Sequence, residues 1–224
     1  MAARGGVLMA NGTTGLHRGQ PLLSAGVPVE QAQAAMIMVH GRGASAEDIL
    51  SLSAEFEQQH FAYLAPQAAN HAWYPYSFLQ PIEKNEPWLS SALLVLEETL
   101  ALVTSHMPPE RVVLLGFSQG ACLTLEFAAR HARRYGGIAG LSGGLIGPDG
   151  TPRDYADSMD GTPIFLGCSD VDFHIPKERV QDTARVFTDL GAQVTMRLYS
   201  NMGHTVNEDE IEAVNNIMSS VIAG

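Results

Sequence analysis

The sequence predicts an α/β fold: a doubly wound, mostly parallel sheet with helices on both faces. Short apolar runs rich in β-branched residues alternate with longer segments of helical periodicity, which is typical of this class. No internal repeat, charge block or interdomain linker divides the 224 residues, a length that suits one domain. We therefore expect a single domain over residues 1–224, with a loose lead-in over 1–20 and no cap domain.

The first half of the chain predicts an edge strand, two further strands and a helix. The edge strand is expected near residues 6–9, and the unbroken apolar run over 34–40 is typical of a strand covered on both faces. Ser45 and Asp48 resemble a capping box, so a helix should begin at this point. Another short apolar run predicts a strand over 61–65.

The second half repeats the alternation of helix and strand. Leucine and valine recur at helical spacing from Leu89 onward, which is the strongest helical signal in the chain. A strand then leads into Gly116. The remaining predicted strands cover 136–141, 163–167 and 193–199, and the remaining helices lie after Gly120 and around Val180 and Ile211.

Composition and charge narrow the classes of partner and compartment. The net charge of −11, with 13 scattered basic residues, argues against a nucleic-acid partner. No apolar run approaches the ~20 residues of a membrane span, and no secretory signal is recognisable. Cys122 and Cys168 lie in apolar elements, so we expect buried free thiols and a cytoplasmic protein. The histidines lack the spacing of a metal site, and no metal or other cofactor is expected.

Gly116-Phe117-Ser118-Gln119-Gly120 stands between a predicted strand and a predicted helix. That context is typical of a nucleophile elbow, in which a serine occupies a sharp, strained turn between glycines that let the chains approach. The following helix would direct its N-terminal N–H groups and positive dipole end at Ser118, which suits an oxyanion. The alternative is a tight turn in which the serine merely caps the helix. We expect Ser118 to be a catalytic nucleophile.

A serine nucleophile needs a histidine base, and that base needs a carboxylate to fix its tautomer. His204 follows a predicted strand and precedes the last helix, which makes it the best base. Asp170 and Asp172 both follow an earlier strand, and spacing alone does not separate them. His174 lies too near Asp172 to bridge to it from another loop, and we assign it to the wall of the substrate pocket.

Backbone N–H groups should form the oxyanion hole. One comes from the residue after the nucleophile and one from the loop after an early strand. By these rules, the predicted oxyanion hole consists of the backbone N–H groups of Gln119 and Arg42. The Arg42 side chain either reaches an anionic substrate group or is solvated or paired with a carboxylate. His40 is expected to have a structural role.

The segment 67–87 has no sustained periodicity and is rich in aromatic residues. A loop of this length inside a compact domain is usually functional, and aromatic side chains often line apolar ligands. The alternative is that Trp73, Tyr74 and Phe78 cover the core as a lid, and both roles can coexist. The predicted acyl or aryl pocket has six substrate-binding residues: Trp73, Tyr74, Leu145, Ile146, His174 and Met202.

Four segments together resemble the acyl-protein thioesterase, or phospholipase/carboxylesterase, family of α/β-hydrolases. These segments are His40-Gly41-Arg42-Gly43, Gly116-Phe117-Ser118-Gln119-Gly120, Asp172-x-x-Ile175-Pro176 and Gly203-His204. Their order and spacing fit from about residue 20 to 222. The resemblance implies small hydrolases without a cap domain that act on carboxylic esters and thioesters, several of them as homodimers. In that family the orienting aspartate stands four residues before a proline, which matches Asp172 and leaves Asp170 as the runner-up.

The sequence departs from the eukaryotic members at two places. Arg42 and Ala44 stand in the early loop instead of a leucine and an acidic or similar polar residue, and Trp73-Tyr74-Pro75 replaces a Ser-Trp-Phe-Asp type of segment. These departures leave the reaction class in place. Because of them, the sequence resembles a bacterial-type carboxylesterase more closely than a long-chain acyl-protein thioesterase.

The sequence therefore predicts a serine hydrolase that cleaves carboxylic esters through Ser118, His204 and Asp172, by way of an acyl-enzyme. Thioesters and lysophospholipids are further candidate substrates, and the expected partner is a small ester with an apolar acyl or aryl group. Two alternatives remain. One is a peptidase with the same three residues, and the other is a non-catalytic ligand-binding protein on this fold.

Overall fold

The computed structural model describes residues 7–8 and 15–223. Its strands are β1 (Val7–Leu8), β2 (Leu22–Gly26), β3 (Ala34–Val39), β4 (Phe61–Pro66), β5 (Val112–Phe117), β6 (Gly137–Leu141), β7 (Pro163–Ser169) and β8 (Gln193–Tyr199). They form one sheet in the order β1-β2-β4-β3-β5-β6-β7-β8. The β1–β2 and β2–β4 pairs are antiparallel, and every pair from β4 to β8 is parallel.

Helices cover both faces of this sheet. They are α1 (Ala46–Ser51), α2 (Trp88–Thr104), α3 (Gln119–Arg130), α4 (Lys177–Asp189) and α5 (Glu208–Ala223). Alternate residues of β3 point into two separate cores, as the pleat of a strand requires. Ile37 packs in the core that contains α2, α3 and α4, whereas Met36 packs in the core that contains α1 and α5. The predicted α/β class, with a mostly parallel sheet and helices on both faces, is confirmed.

Most differences from the predicted elements lie near the N-terminus. The Leu-Leu-Ser-Ala-Gly sequence of β2 has neither a long apolar run nor a clean alternation, so it predicts no strand although one is present. The capping box of α1 is present, because Asp48 N–H donates to Ser45 Oγ while Ser45 N–H donates to the Asp48 carboxylate. Beyond Ser51 the helix continues only as a 3-10 turn to Glu55.

The lead-in predicted to be loose over 1–20 is packed against the rest of the protein at its end. The buried His17 ring accepts a hydrogen bond from Ala69 N–H and donates one to the Trp73 carbonyl, both at 3.0 Å. The edge strand predicted near residues 6–9 is present as β1, and the rest of the lead-in before Gly15 lies outside the described residues. Within the described part of the chain, no helix has the length and apolarity to cross a membrane.

The parallel strands determine where the chemistry-bearing loops meet. Arg42 follows β3, Ser118 follows β5, Asp172 follows β7 and His204 follows β8. The carboxyl ends of parallel strands lie at one edge of the sheet, which is where doubly wound proteins bind their ligands. The topology therefore brings four distant parts of the chain to the same place.

Candidate active site

Ser118 is the single residue between β5 and α3. Its backbone has φ 55° and ψ −120°, a region that residues with a side chain rarely adopt. Its N–H donates to the Leu141 carbonyl at 2.9 Å, and its own carbonyl accepts from Cys122 N–H at 3.0 Å. The neighbouring strand and the following helix thus hold the serine in a strained turn.

Gly116 and Gly120 leave no room for a side chain beside this turn. A Cβ atom on Gly120 would lie 2.1 Å from the Val39 carbonyl oxygen, and one on Gly116 would lie 2.4 Å from the Gly120 carbonyl oxygen. Both obstacles are backbone atoms, which can give way only if a strand or a helix moves. These close backbone contacts therefore explain why both positions of the motif require glycine.

Ser118, His204 and Asp172 are joined by hydrogen bonds. Nε2 of His204 lies 2.8 Å from Ser118 Oγ, and Nδ1 lies 2.6 Å from Asp172 Oδ2. Burial raises the pKa of the Asp172 carboxyl, but hydrogen bonds from His204 and from the N–H groups of His174 and Ile175 outweigh it, so the pKa lies below its usual value. An ionised carboxylate only accepts, so in the neutral ring Nδ1 carries the proton and Nε2 accepts from the Ser118 hydroxyl.

Asp170, the other candidate acid, supports the loop that carries His204. Its carboxylate accepts a hydrogen bond from Asn201 N–H at 2.9 Å and one from the Ser200 hydroxyl at 3.3 Å. Asp170 lies in a turn directly after β7, so it and Asp172 do not follow the alternation of an extended loop. Asp172, and not Asp170, is thus the aspartate that contacts the His204 ring.

The backbone N–H groups of Arg42 and Gln119 belong to residues that line the same cleft as Ser118. Among the described residues, neither group donates a hydrogen bond to another protein atom. Gln119 opens α3, where N–H groups have no partner within the helix. Both groups are therefore available to a ligand.

The side chains of these two residues hold the aromatic segment. The Arg42 guanidinium donates to the carbonyl groups of residues 74–76 at 2.8 to 2.9 Å. The Gln119 carboxamide accepts from Trp73 N–H at 2.9 Å and donates to the Tyr74 carbonyl at 2.8 Å. Arg42 is exposed, and its side chain has a role beyond those predicted, since the guanidinium binds backbone carbonyls rather than a carboxylate.

A cleft of about 570 Å³ opens at Ser118. Its lining residues are Arg42, Tyr74, Pro75, Tyr76, Ser77, Phe78, Ser118, Gln119, Cys122, His174, Ile175 and His204.

The thiols of Cys122 and Cys168 are free and buried, as predicted. Among the described residues, no group of three or more His, Cys, Asp or Glu side chains is placed to hold a metal ion.

Two of the six predicted substrate-binding residues, Tyr74 and His174, line this cleft. Trp73 does not, which corrects the prediction for this residue. Its side chain is fully buried, and its indole N–H donates to the His40 carbonyl at 2.9 Å. Trp73 therefore covers the core, in the manner of the alternative interpretation of the aromatic segment.

The prediction of substrate-binding residues is also corrected at three positions that lie outside the cleft lining: Leu145, Ile146 and Met202. Leu145 and Ile146 are buried in the core, where Ile146 N–H donates to the Glu126 carboxylate at 3.0 Å. The Met202 sulfur accepts a hydrogen bond from the Asn207 amide at 2.9 Å. The Ile146 contact joins two separate parts of the chain and the Met202 contact lies within one loop, and hydrophobic periodicity reports neither.

Other lining residues were missed although the sequence contained a signal for some of them. Residues 75–78 continue the aromatic segment that already contained Tyr74. Cys122 comes four residues after Ser118, so helical spacing places it on the face of α3 below the serine. Ile175 lies inside the Asp-x-x-Ile-Pro pattern that also identified Asp172.

Glu210 is a buried carboxyl at the start of α5. Its Oε2 accepts from Asn207 N–H at 2.9 Å, and its own N–H donates to the Asn207 side chain at 2.9 Å, which forms a capping box. Among the described residues, its Oε1 has no hydrogen-bond partner. Burial raises the pKa of this carboxyl to about 7.

We expect Glu210→Gln to stabilise the protein at alkaline pH. Between pH 4.5 and about 7 the folded protein keeps a proton that the unfolded chain releases, so stability falls as pH rises through this range and is level above it. Glutamine retains the acceptor of the capping box and has no charge to bury. Urea unfolding at pH 8 should show a gain of up to about 3 kcal/mol.

The matched control for Glu210→Gln is Glu212→Gln, because Glu212 is exposed on the same helix. This control should follow the pH profile of the unmodified protein. If Glu210→Gln followed that profile as well, the burial of an ionisable carboxyl at this position would be contradicted.

Comparison with known sequences connects this geometry to a family. A family profile described as phospholipase/carboxylesterase matches residues 26–222. Acyl-protein thioesterase 1 of Gibberella zeae is 31% identical over 118 residues, which are 50% of this chain and 48% of that protein. The match thus spans about half the length of that relative. Acyl-protein thioesterase 1 of Eremothecium gossypii is 28% identical over 209 residues, 80% of this chain and 83% of that protein.

The similarity extends to solved structures. The crystal structure of a phospholipase/carboxylesterase from Dyadobacter fermentans superposes with a TM-score of 0.87 at 40% identity, over 93% of this chain and 100% of that one. Family and fold therefore agree with the resemblance drawn from the four sequence motifs. The chain belongs to the phospholipase/carboxylesterase family of α/β-hydrolases.

Proposed function

We propose that this protein is a serine hydrolase that cleaves carboxylic esters, with Ser118 as nucleophile, His204 as base and Asp172 as the orienting acid. The observation that carries the proposal is the unbroken series of hydrogen bonds from Ser118 Oγ through the His204 ring to Asp172. It lies at a cleft large enough for a small ester. Membership of a hydrolase family supports the same reaction class.

In the first step His204 Nε2 takes the proton of the Ser118 hydroxyl while Oγ attacks the ester carbonyl carbon. The imidazolium that forms is stabilised by the ionised Asp172 at Nδ1. When the tetrahedral intermediate collapses, the imidazolium returns its proton to the leaving alcohol. The acyl group then remains attached to Ser118 Oγ.

In the second step water takes the place of the alcohol. His204 Nε2 removes a proton from the water molecule, whose oxygen attacks the acyl carbonyl. Collapse of the second intermediate breaks the bond to Ser118 Oγ, which recovers its proton from the imidazolium. The carboxylic acid leaves and the site is restored.

The negative oxygen of both intermediates is stabilised by the Arg42 and Gln119 N–H groups. Neither has another acceptor among the described residues, so each can donate without first breaking a protein hydrogen bond. The N-terminus of α3 adds the positive end of a helix dipole at the same point.

We propose as substrate a small ester with an apolar acyl or aryl group, because Tyr74, Phe78 and Ile175 belong to the lining of the cleft. Relatives named acyl-protein thioesterases support thioesters as a second class, and lysophospholipids are a third. We place the whole reaction in one domain without a cap. The cytoplasmic location stays a prediction of the sequence, and a homodimer stays an implication of the family resemblance.

A substrate panel tests this proposal. It consists of 4-nitrophenyl esters from acetate to decanoate, acyl thioesters, lysophospholipids and peptide amides, each run with the unmodified protein and with Ser118→Ala. We expect turnover of the esters by the unmodified protein, because an ester has a better leaving group than a peptide amide. Turnover of peptides alone would favour the peptidase, and binding without any turnover would favour a ligand-binding protein.

A further inference from the structure

One continuous segment, residues 74–78, forms much of the cleft at Ser118, and we refer to it as the cleft wall. None of its residues belongs to a helix or a strand. Its backbone N–H and carbonyl groups therefore need partners outside the regular elements. The position of the wall depends on which side chains supply those partners.

At one end the cleft wall is held by the two residues of the proposed oxyanion hole. The Arg42 guanidinium binds the carbonyls of residues 74–76, and hydrogen bonds from a charged donor are among the stronger ones. The Gln119 carboxamide binds Trp73 N–H and the Tyr74 carbonyl. The same two residues thus face the reacting carbonyl with their backbone and hold the wall with their side chains.

At the other end the Phe78 carbonyl accepts a hydrogen bond from Gly147 N–H at 2.7 Å, and between the two ends the cleft wall is held by Asn85. Its Oδ1 accepts from Tyr76 N–H at 2.9 Å, and its Nδ2 donates to the Ser77 carbonyl at 3.1 Å. The residue is fully buried and does not belong to the cleft lining. Asn85 therefore acts on the wall without touching the reaction site.

We propose that Arg42, Gln119 and Asn85 are specificity-determining residues, because their side chains fix the cleft wall and thereby set the length of acyl chain that the site accepts. The inference rests on the proposed esterase function and adds the residues that determine its selectivity for acyl-chain length.

The test compares acyl-length profiles of Arg42→Met and Asn85→Leu with that of the unmodified protein. Methionine keeps much of the length of arginine without its donors, and leucine has the same number and branching of side-chain heavy atoms as asparagine. The profile is kcat and KM for 4-nitrophenyl esters from acetate to decanoate. Arg185→Met is the matched control, because Arg185 is an exposed arginine on α4 outside the cleft lining. Circular dichroism melting establishes that each variant is folded, and Asn85→Asp replaces Asn85→Leu if the latter is not.

We expect both variants to change the ratio of kcat/KM for decanoate to that for butanoate by about tenfold, in favour of the longer chain. A released wall can yield to a longer chain, so the change should appear mainly in KM. The double variant should change the ratio by less than the product of the single effects, because both substitutions release the same wall. The Arg185→Met profile should match that of the unmodified protein.

Two results would overturn the inference: a common loss of activity on all esters with an unchanged ratio, or single effects that multiply in the double variant. Both leave the esterase function intact, because they presuppose turnover by the unmodified protein. An unmodified protein without turnover of any ester would instead contradict the proposed function itself. The experiment therefore separates the two failures.

Discussion

Replacement of Ser118 by alanine is expected to lower kcat on 4-nitrophenyl esters by a factor of ~10⁴ to 10⁶. The Ser118 hydroxyl is the group that the His204 ring can deprotonate at 2.8 Å, so its removal eliminates the acyl-enzyme route. The N–H groups of the proposed oxyanion hole remain in this variant, and we expect them to support a small residual rate. Steady-state kinetics together with a melting curve measure both activity and fold.

The control for this variant is Ser219→Ala, an exposed serine near the end of α5. Its kcat should equal that of the unmodified protein, and both variants should melt at a similar temperature. Retention of most of the esterase rate by Ser118→Ala would place the nucleophile elsewhere.

Asp172→Asn is expected to lower kcat/KM by roughly 10⁴-fold without loss of the fold. An asparagine amide can donate to Nδ1 of His204, which favours the tautomer whose proton sits on Nε2. That tautomer cannot accept the proton of Ser118. The effect should be measured on the same aryl esters over a range of pH.

The comparison for Asp172→Asn is Asp170→Asn. An asparagine at position 170 retains an oxygen that can accept from Asn201 N–H, so the loop of His204 stays in place and the loss of activity should be far smaller. A reversal of this order, with Asp170→Asn the more damaging change, would contradict the assignment of Asp172.

The residues of the candidate site could be proposed from the sequence because they are tied to short-range rules. The two glycines around Ser118 are required because a Cβ atom at either position would lie only 2.1 to 2.4 Å from a backbone oxygen, so the motif carries its own steric signature. His204 and Asp172 follow strands, and parallel topology brings the ends of those strands together. Asp172 was separated from Asp170 by a family pattern rather than by spacing.

The substrate pocket was less predictable because its shape depends on hydrogen bonds between distant segments. The Trp73 indole N–H donates to the His40 carbonyl inside the core, and Ile146 N–H donates to the Glu126 carboxylate. Neither contact leaves a periodic trace in the sequence. An aromatic or aliphatic residue in a loop can equally pack inward or face a ligand, and only the tertiary partners decide.

The Arg42 side chain is the clearest example of information that the sequence did not contain. A cation in a glycine-containing loop indicates an anion or solvent, since those are its ordinary partners. Its actual acceptors are three consecutive backbone carbonyls some thirty residues further along the chain. The raised pKa of Glu210 is equally a consequence of burial that emerges only in the folded protein.

The most direct measurement for the central claim is to label the protein with a fluorophosphonate and map the modified peptide by mass spectrometry. A fluorophosphonate reacts with a serine that an adjacent base has activated, and the phosphonyl group then stays on the attacking oxygen. We predict one adduct per chain, on Ser118, with loss of esterase activity in proportion to labelling. An adduct on a different residue, or full ester turnover by protein that carries the label on Ser118, would contradict the account.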